Sequence, residues 1–282
     1  MPDSSTGPLF NFRFGRQCMT LNGFPKLMGI INLTPDSFYD GGRYNSLESA
    51  LQQAELLEKQ GADFLDLGGE STRPGHAAVD PELELRRVIP VIAALSQRSR
   101  LPISIDSSKA QVAEAALQAG ASIVNDVSAL SDPAMPELLR RFQAGCIIMH
   151  NKQLPPEDEA FLQVFDFLQE RLDWARRQTG LSAEYFVLDP GIGFGKTQSQ
   201  NLSLLKHLGQ LRRRGLPVLL GVSNKSYIGR ICGEQLPQAR LPGSLATAAI
   251  AAYQGSCDIL RVHQVAESKQ AILVAKAIRE AL

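Results

Sequence analysis

Polar residues suited to ligand binding stand at the ends of successive apolar runs in this sequence. The first run, LMGIIN, ends at Asn32, and the last, DILRVH, ends at His263. In a closed barrel of parallel strands, all C-terminal strand ends lie on one rim, so these side chains would converge on one pocket. The polar residues at the eight run ends are Asn32, Asp66, Asp106, Asn125, Asp126, His150, Asp189, Ser223, Arg261 and His263.

Three of these ends carry a carboxylate or a carboxamide, namely Asp106, Asn125 and Asp189. A carboxylate in a barrel mouth can accept hydrogen bonds from the N–H/NH2 edge of an amino-heterocycle. Each side chain could instead cap the helix that follows, and Asp106, which precedes two serines, is the strongest case for this alternative. Convergence of all three on one rim favours the binding role.

The last two runs bring positive charge. Lys225 follows the seventh run, and Arg261 and His263 alternate at the end of the eighth, which places them on one face of a strand. The loops after strands seven and eight of such barrels are the customary phosphate site, and a helix beginning near Ser226 would add its dipole. Together with Arg73, these cations could hold a polyanion such as pyrophosphate. A structural role is the alternative for His263 taken alone.

Two loops carry further candidates. The polar stretch from Asn32 to Asn45 is longer than a typical strand-to-helix connection, and Asn32 could contact a metal ion or a phosphate oxygen, or merely cap its own loop. The second loop contains Thr72 and Arg73, and the arginine could bind an anion through two hydrogen bonds. The glycine-rich stretch after Asp189 matches neither a P-loop nor a dinucleotide fingerprint.

The elements needed to position these residues alternate along the chain. A segment with helical periodicity follows each strand-sized run, and this alternation predicts a parallel sheet. Eight such strand–helix units without a composition break predict that the sheet closes into a barrel. The fold class predicted is α/β, a single (β/α)8 TIM barrel with a short N-terminal β-hairpin turning at Asn22-Gly23. The predicted division is an N-terminal extension over 1–24 and a barrel over 25–282. Helices are predicted over 46–60, 81–96, 108–117, 133–142, 157–178, 199–214, 225–232, 241–254 and 266–281.

Composition narrows the class of protein. The 282 residues carry 29 Lys plus Arg and 29 Asp plus Glu, so the net charge of zero gives no reason to expect nucleic acid or a membrane as partner. The four cysteines lack metal-ligand spacing, and His150 lacks the companions of a zinc motif. Neither a signal peptide nor a membrane-length apolar stretch is apparent. A cytoplasmic protein is therefore expected.

At these positions the chain resembles dihydropteroate synthase, a family of the folate pathway. The first two matching stretches contain TPDSF and ESTRPG, which are highly specific together, whereas the others would be weak singly. The match covers the chain from about residue 26 to its end. The stretches, in family order, are MGIINLTPDSFYDGG (28–42), DLGGESTRPG (66–75), ISIDSSK (103–109), VNDVSAL (124–130), LDPGIGFGK (188–196), GVSNKS (221–226) and ILRVH (259–263).

The resemblance implies that 4-aminobenzoate displaces pyrophosphate from 6-hydroxymethyl-7,8-dihydropterin diphosphate, with Mg2+ as cofactor, in a homodimeric sulfonamide target. It also implies roles for individual residues. The residues that would bind the pterin are Asp106, Asn125, Asp189 and Lys225. Arg261 would lie against the pterin and, with His263 and Asn32, would help to hold the diphosphate and Mg2+. The residues that resemble the family's 4-aminobenzoate and loop residues are Thr72, Arg73, Pro74, Phe38, Phe194 and Ser226. The predicted catalytic residues are Asn32, Arg73, Lys225, Arg261 and His263.

The sequence departs from the family pattern at three places. Asn224 stands where the family usually has arginine, Ser107 replaces threonine, and residues 151–155 replace a Met-x-Gly-x-Pro stretch. Asn224 favours one rival interpretation, a pterin-binding paralogue without turnover. A second rival is a pterin-dependent methyltransferase barrel, which would not need the loops that carry TPDSF and ESTRPG. A third is a generic phosphate-binding barrel.

Overall fold

Eight parallel strands form a barrel, as the sequence predicts. The computed structural model describes residues 8–34, 43–70, 79–155, 159–234 and 236–281. The strands pair in the order β8-β7-β6-β5-β4-β3-β10-β9, and a parallel bridge between Leu188 and Val218 joins β8 to the segment entering β9. The barrel strands are β3 (Lys26–Asn32), β4 (Phe64–Gly68), β5 (Ile103–Asp106), β6 (Ile123–Asp126), β7 (Gly145–Met149), β8 (Phe186–Asp189), β9 (Leu219–Gly221) and β10 (Ile259–Val262).

Helices surround the barrel, and most begin one to three residues from the predicted starts. The second helix begins at the predicted residue, Pro81, and Asp80 caps it, whereas the first helix begins at Arg43, three residues before its predicted start. The helices are α1 (Arg43–Gln60), α2 (Pro81–Arg98), α3 (Ala110–Ala119), α4 (Met135–Phe142), α5 (Ala160–Thr179), α6 (Gln198–Arg213), α7 (Ser226–Cys232), α8 (Leu241–Gln254) and α9 (Val265–Glu280).

A β-hairpin closes the N-terminal end of the barrel. Strands β1 (Phe10–Phe14) and β2 (Gln17–Leu21) pair antiparallel, and their turn lies at Gly15 and Arg16, so the prediction of a turn at Asn22-Gly23 is wrong. Gly15 takes the left-handed conformation, with a φ of 59°, that a tight hairpin turn needs. Buried hairpin side chains fill the barrel floor together with one residue from each barrel strand except β5. This floor consists of Phe12, Phe14, Leu21, Met28, Phe64, Ile123, Ile147, Val187, Leu219 and Ile259.

A buried ion pair stabilises the same end. The guanidinium of Arg212 donates from Nε to the carboxylate of Asp258 over 3.0 Å, and both side chains are buried. The same carboxylate accepts the backbone N–H of Val218 at 3.0 Å and of Gly23 at 3.2 Å. Asp258 therefore joins the entry of β9 to the segment between hairpin and barrel, far along the strands from the rim.

The alternation of side chains along each strand decides which polar residues face the barrel interior. Ile103 and Ile105 belong to the apolar layer between strands and helices, so Ser104 and Asp106 point inward. Four more side chains point inward because each stands two positions after the floor residue of its own strand and lies above it. They are Asp66, Asn125, Asp189 and Arg261. The barrel interior is thus apolar at the floor and polar at the C-terminal rim.

Within the described ranges, none of the helices is both long and apolar enough to span a membrane.

Candidate functional site

Arg261 lies at the centre of the polar rim, between two carboxylates. Its Nε donates to Oδ2 of Asp66 and its Nη2 donates to Oδ2 of Asp106, each over 2.6 Å. Asp66 is fully buried and also accepts a hydrogen bond of 3.3 Å from Nδ2 of Asn125. One guanidinium therefore joins strands β4, β5 and β10, and Asn125 extends the network to β6.

Acceptor oxygens beside this network lack partners. Oδ1 of Asp66, Oδ1 of Asp106 and Oγ of Ser104 are buried and make no hydrogen bond within the described residues. Burial raises the pKa of Asp106 to about 7, an effect that Arg261 opposes and the carboxylate of Asp66 reinforces. Buried polar atoms are normally hydrogen-bonded, so these oxygens define a place where a ligand with N–H groups, or water, would bind.

The alternative role for Asp106, a helix cap, is not what the structure shows. Helix α3 begins at Ala110, whose N–H donates over 2.9 Å to Oδ2 of Asp132, while Oγ of Ser107 accepts the N–H of Lys109 at 3.3 Å. Asp106 is left to face the barrel interior.

Asp189, Lys225 and Phe194 line the neighbouring side of the rim. Oδ1 of Asp189 accepts the N–H of Gly191 at 2.7 Å, and burial raises the pKa of this carboxyl while Lys225 opposes the shift. The ammonium of Lys225 lies 4.5 Å from the ring centroid of Phe194, a cation–π distance. The lysine stem also passes Gly193 and Gly221, where a Cβ atom would lie 3.4 Å from its Cδ and 3.8 Å from its Cε respectively.

His263 and Asn32 meet across strands β10 and β3. Nδ1 of His263 lies 2.9 Å from Oγ of Ser223, and its Nε2 lies 3.3 Å from Nδ2 of Asn32. If Nδ1 carries the proton, it donates to the serine while Nε2 accepts from the asparagine amide. That tautomer satisfies both contacts and leaves Oδ1 of Asn32 as the oxygen suited to a hard cation.

A metal ion at this corner would have to be shared with substrate. The described residues contain no group of three His, Cys, Asp or Glu side chains able to hold a metal ion. Mg2+ in proteins is usually held by one or two carboxylates together with substrate phosphates and water, so the neutral Oδ1 of Asn32 could supply one contact to it.

His150 is a structural residue of the rim. It is buried, its ring meets that of Phe167 edge-on with centroids 4.8 Å apart, and its Nδ1 lies 3.0 Å from Nζ of Lys196. Burial, and secondarily the charge of Lys196, lowers the pKa of His150 to about 3. The imidazole is therefore neutral at physiological pH.

Asn224 occupies a left-handed backbone position, with a φ of 56°. Its N–H donates to Oγ of Ser244 over 3.0 Å, and its carbonyl oxygen accepts from Nη1 of Arg240 over 3.1 Å. Asparagine adopts this conformation more readily than most residues, which gives a backbone reason for its presence next to Lys225. Its Oδ1 is buried and makes no hydrogen bond within the described part of the chain.

The structure brings most of the predicted site residues to one rim. Asn32, Asp106, Asn125, Asp189, Phe194, Lys225, Arg261 and His263 all lie there, and Ser226 begins α7 with its side chain exposed. Thr72 and Arg73, with Pro74 and Phe38, lie outside the described residues.

Sequence reasoning assigned no role to Asp66 or Lys196, although both belong to the site. A carboxylate inside the apolar run FLDLGG was the available signal for Asp66, because an unpaired charge is rarely buried. Asp126 shares the strand end of Asn125 but points to the loop, where it accepts from the N–H groups of Ser128 and Leu130 at 2.7 and 3.0 Å.

A parallel barrel whose C-terminal rim combines buried carboxylates, an amide and several cations is an enzyme of the kind that binds a polar heterocycle beside an anion. The family model described as "Pterin binding enzyme" matches residues 28–263. The chain belongs to this family of pterin-binding enzymes.

Its relatives within the family are dihydropteroate synthases. The enzyme from Escherichia coli strain K12 is 44% identical over 261 residues, which cover 90% of this chain and 91% of the relative. The solved structure of Xanthomonas albilineans dihydropteroate synthase with 4-aminobenzoic acid has a TM-score of 0.88 and 42% identity, covering 93% of this chain and 96% of that one. A structure from the same organism in complex with 7,8-dihydropteroate has a TM-score of 0.88 and 40% identity, covering 96% and 100%.

Proposed function

We propose that this protein is a dihydropteroate synthase. In this reaction the amine of 4-aminobenzoate attacks the methylene carbon of 6-hydroxymethyl-7,8-dihydropterin diphosphate. A C–N bond forms, the C–O bond breaks, pyrophosphate leaves with the bonding electrons, and the attacking nitrogen loses one proton to solvent. The observation that carries the proposal is the pair of buried carboxylates on Arg261, each of which keeps one oxygen without a hydrogen-bond partner among the described residues, because an amino-heterocycle supplies the matching donors.

The pterin would bind between the middle strands and Arg261. Asp106 and Asp189 offer acceptors to its N–H and NH2 groups, and Asn125 and Lys225 complete the set. Discrimination is strong in such a site, because a ligand without the N–H groups would leave buried carboxylate oxygens without a hydrogen-bond donor.

The leaving group would lie at the cationic end of the rim, near Lys225, Arg261 and His263. When bound, Mg2+ would neutralise charge on the diphosphate, and Oδ1 of Asn32 is the oxygen proposed to contact it. The chain's own contribution is positional and electrostatic, since fixed cations stabilise the negative charge that develops on the departing oxygen. The reaction requires no side-chain nucleophile.

The second substrate, 4-aminobenzoate, would approach from the loops above the pterin. Phe194 supplies an apolar wall, and Ser226 lies exposed at the start of α7. Thr72 and Arg73 are proposed to complete this subsite, with Arg73 pairing with the carboxylate of the substrate.

The proposed function predicts pyrophosphate release from the two substrates in the presence of Mg2+. We expect turnover that stops on addition of a chelator, returns with excess Mg2+, and is inhibited competitively against 4-aminobenzoate by a sulfonamide. Coupled detection of pyrophosphate and chromatographic identification of dihydropteroate measure this directly. Pterin binding without pyrophosphate would instead establish the paralogue without turnover, and weak sulfonamide inhibition with normal turnover would point to the loop that contains Asn224.

We also propose that the protein forms a homodimer through α8 and α9 and acts in the cytoplasm. These helices pack together and expose apolar side chains, with Ile250, Val274 and Ile278 exposed to 58%, 60% and 61%. Exposed apolar patches of this kind are typical of association surfaces.

The variant Val274→Glu should therefore convert a dimer into a monomer, because a carboxylate would be buried without a partner at the interface. Light scattering after size-exclusion chromatography measures the mass. The control is Leu162→Glu on α5, which replaces an apolar side chain that is 43% exposed and should leave the mass unchanged. A native protein that elutes as a monomer contradicts the dimer.

A further inference from the structure

The loop that follows β8 contains a partly buried lysine to which the proposed reaction assigns no step. Nζ of Lys196 lies 3.1 Å from the carbonyl oxygen of His150, 3.0 Å from that of Gly191 and 2.9 Å from that of Phe194. A fourth neighbour is Nδ1 of His150. An ammonium has three N–H donors and no acceptor, so the three carbonyls use all of them and the imidazole nitrogen faces the charge with its lone pair.

These contacts join two rim segments that pack backbone against backbone. A Cβ atom on Gly191 would lie 1.9 Å from the carbonyl oxygen of His150, and one on Gly195 would lie 2.5 Å from that of Lys152. The N–H of His150 donates to the carbonyl of Asp189 over 3.0 Å, and the N–H of Leu154 donates to that of Gly195 over 3.0 Å. The ammonium thus ties together carbonyls whose mutual repulsion would otherwise oppose this close approach.

The loop held in this way carries two substrate-contacting residues. The N–H of Gly191, whose carbonyl binds Lys196, donates to Oδ1 of Asp189 and so sets the orientation of that carboxylate. Phe194, whose carbonyl also binds the ammonium, lies under Lys225. Lys196 itself is directed beneath the loop and is in contact with the carbonyls on its inner side.

We propose that Lys196 is a positioning residue for the pterin site, which fixes the loop 190–195 so that Asp189 faces the pterin and Phe194 supports Lys225. This inference rests on the proposed function, because it concerns the affinity of the same site for its first substrate. It also gives His150 a role, because its backbone carbonyl accepts from the ammonium and its neutral imidazole places no second positive charge beside it.

Asn201 holds another part of the loop independently of Lys196. Oδ1 of Asn201 accepts the N–H of Gly193 at 2.7 Å, and its Nδ2 donates to the carbonyl of Thr197 at 2.7 Å. Because Asn201 is buried on α6, the distal half of the loop stays attached when Lys196 is replaced. Loss of the ammonium should therefore loosen the segment next to Asp189 and leave the barrel folded.

The test compares Lys196→Met with Lys206→Met, a matched substitution of an exposed lysine on α6. Titration with 6-hydroxymethylpterin, followed by its fluorescence, should give a Kd about tenfold higher for the first variant and unchanged for the second. The increase in KM for the pterin diphosphate should exceed the fall in kcat. A Lys196→Met protein that binds the pterin within about twofold of the native Kd overturns the proposal, whatever its Tm.

A double-mutant cycle separates positioning from a general loss of stability. If Lys196 acts through Asp189, adding Lys196→Met to Asp189→Asn should weaken pterin binding by less than about twofold more. Fully additive effects contradict this route. If Lys196→Met does not fold, Lys196→Gln retains an amide donor and is measured in its place against the same limits. If the native protein binds no pterin, the proposed function as a whole is contradicted. If the native protein binds pterin and Lys196→Met has no effect, only this inference is contradicted.

Discussion

Replacing Arg261 with methionine should abolish catalysis and destabilise the protein at the same time. The substitution leaves the carboxylates of Asp66 and Asp106 buried without their shared cation, and removing one partner of a buried ion pair costs about 3–5 kcal/mol. The pterin site also loses the group against which the ring is proposed to lie. Activity should fall below detection, and the free energy of unfolding, measured with urea, should fall by that amount.

A matched variant at the other end of the barrel distinguishes the two effects. Arg212→Met breaks the buried pair with Asp258 at the barrel floor, which is comparable in chemistry and remote from the rim. We expect similar destabilisation with pterin affinity retained at a temperature where the variant is folded. Arg261→Lys should recover part of the stability but little activity, because an ammonium does not span both carboxylates as the planar guanidinium does. Equal pterin affinity in native protein and Arg261→Met would contradict the assignment of this arginine.

The second large effect is expected at Asp106. Asp106→Ala removes the carboxylate that is proposed to face the pterin and should weaken pterin binding by about 100-fold or more, because hydrogen bonds to an ionised acceptor are lost from a buried site. Asp106→Asn keeps the shape but presents an NH2 group to the donors of the ligand, so it should bind almost as poorly. Fluorescence titration with 6-hydroxymethylpterin measures both, and near-native binding by Asp106→Asn would show that the ionised carboxylate is not required.

Binding by the native protein should also depend on pH. Since burial raises the pKa of Asp106 to about 7, the carboxyl becomes protonated as the pH falls below that value, and pterin affinity should fall with it. The effect on stability has the opposite sign. A folded-state pKa above the unfolded one stabilises the fold at acid pH, and this contribution is lost as the pH rises through about 7. Asp106→Asn should remove both dependences, and at pH 8 it should be no less stable than the native protein.

The prediction for Asp106 concerns a residue that lowers stability at neutral pH and is proposed to bind substrate. A rim filled with apolar side chains would bury no unpaired oxygen, whereas here Asp66, Ser104 and Asp106 each leave one without a partner within the described residues. Functional sites are the places where such local conflicts are expected, and the apolar floor and ion pair at the opposite end supply stability without them.

Much of the fold follows from patterns within the chain. Strand-sized apolar runs separated by helical periodicity predicted the parallel barrel, and the structure confirms this prediction. The runs are apolar because each strand is buried between the barrel interior and the surrounding helices. Element boundaries were less accurate. Helix α3 begins two residues late because Ser107 and Asp132 satisfy the backbone donors that a cap at the predicted start would have used. The Asn22-Gly23 pair carries the strongest local turn signal, but Gly23 instead binds the buried Asp258.

The sequence by itself determined the barrel, the rim and the identity of most side chains on it. This was possible because the periodicities of strands and helices are local properties that repeat along the chain, and because polar residues at strand ends are rare enough to be informative. It also placed Arg261 and His263 on one face, since residues two apart in a strand share a side.

The tertiary structure alone decided which of these groups act together. Asp66 and Arg261 are separated by almost the whole barrel in sequence, and only the pairing of β10 beside β3 brings the guanidinium between two carboxylates. Lys196 and His150 likewise meet because β7 and β8 are neighbours, which makes a buried histidine neutral and gives a lysine a positioning role. Contacts between distant strands depend on closure of the barrel, and no local pattern encodes which donor will meet which acceptor there.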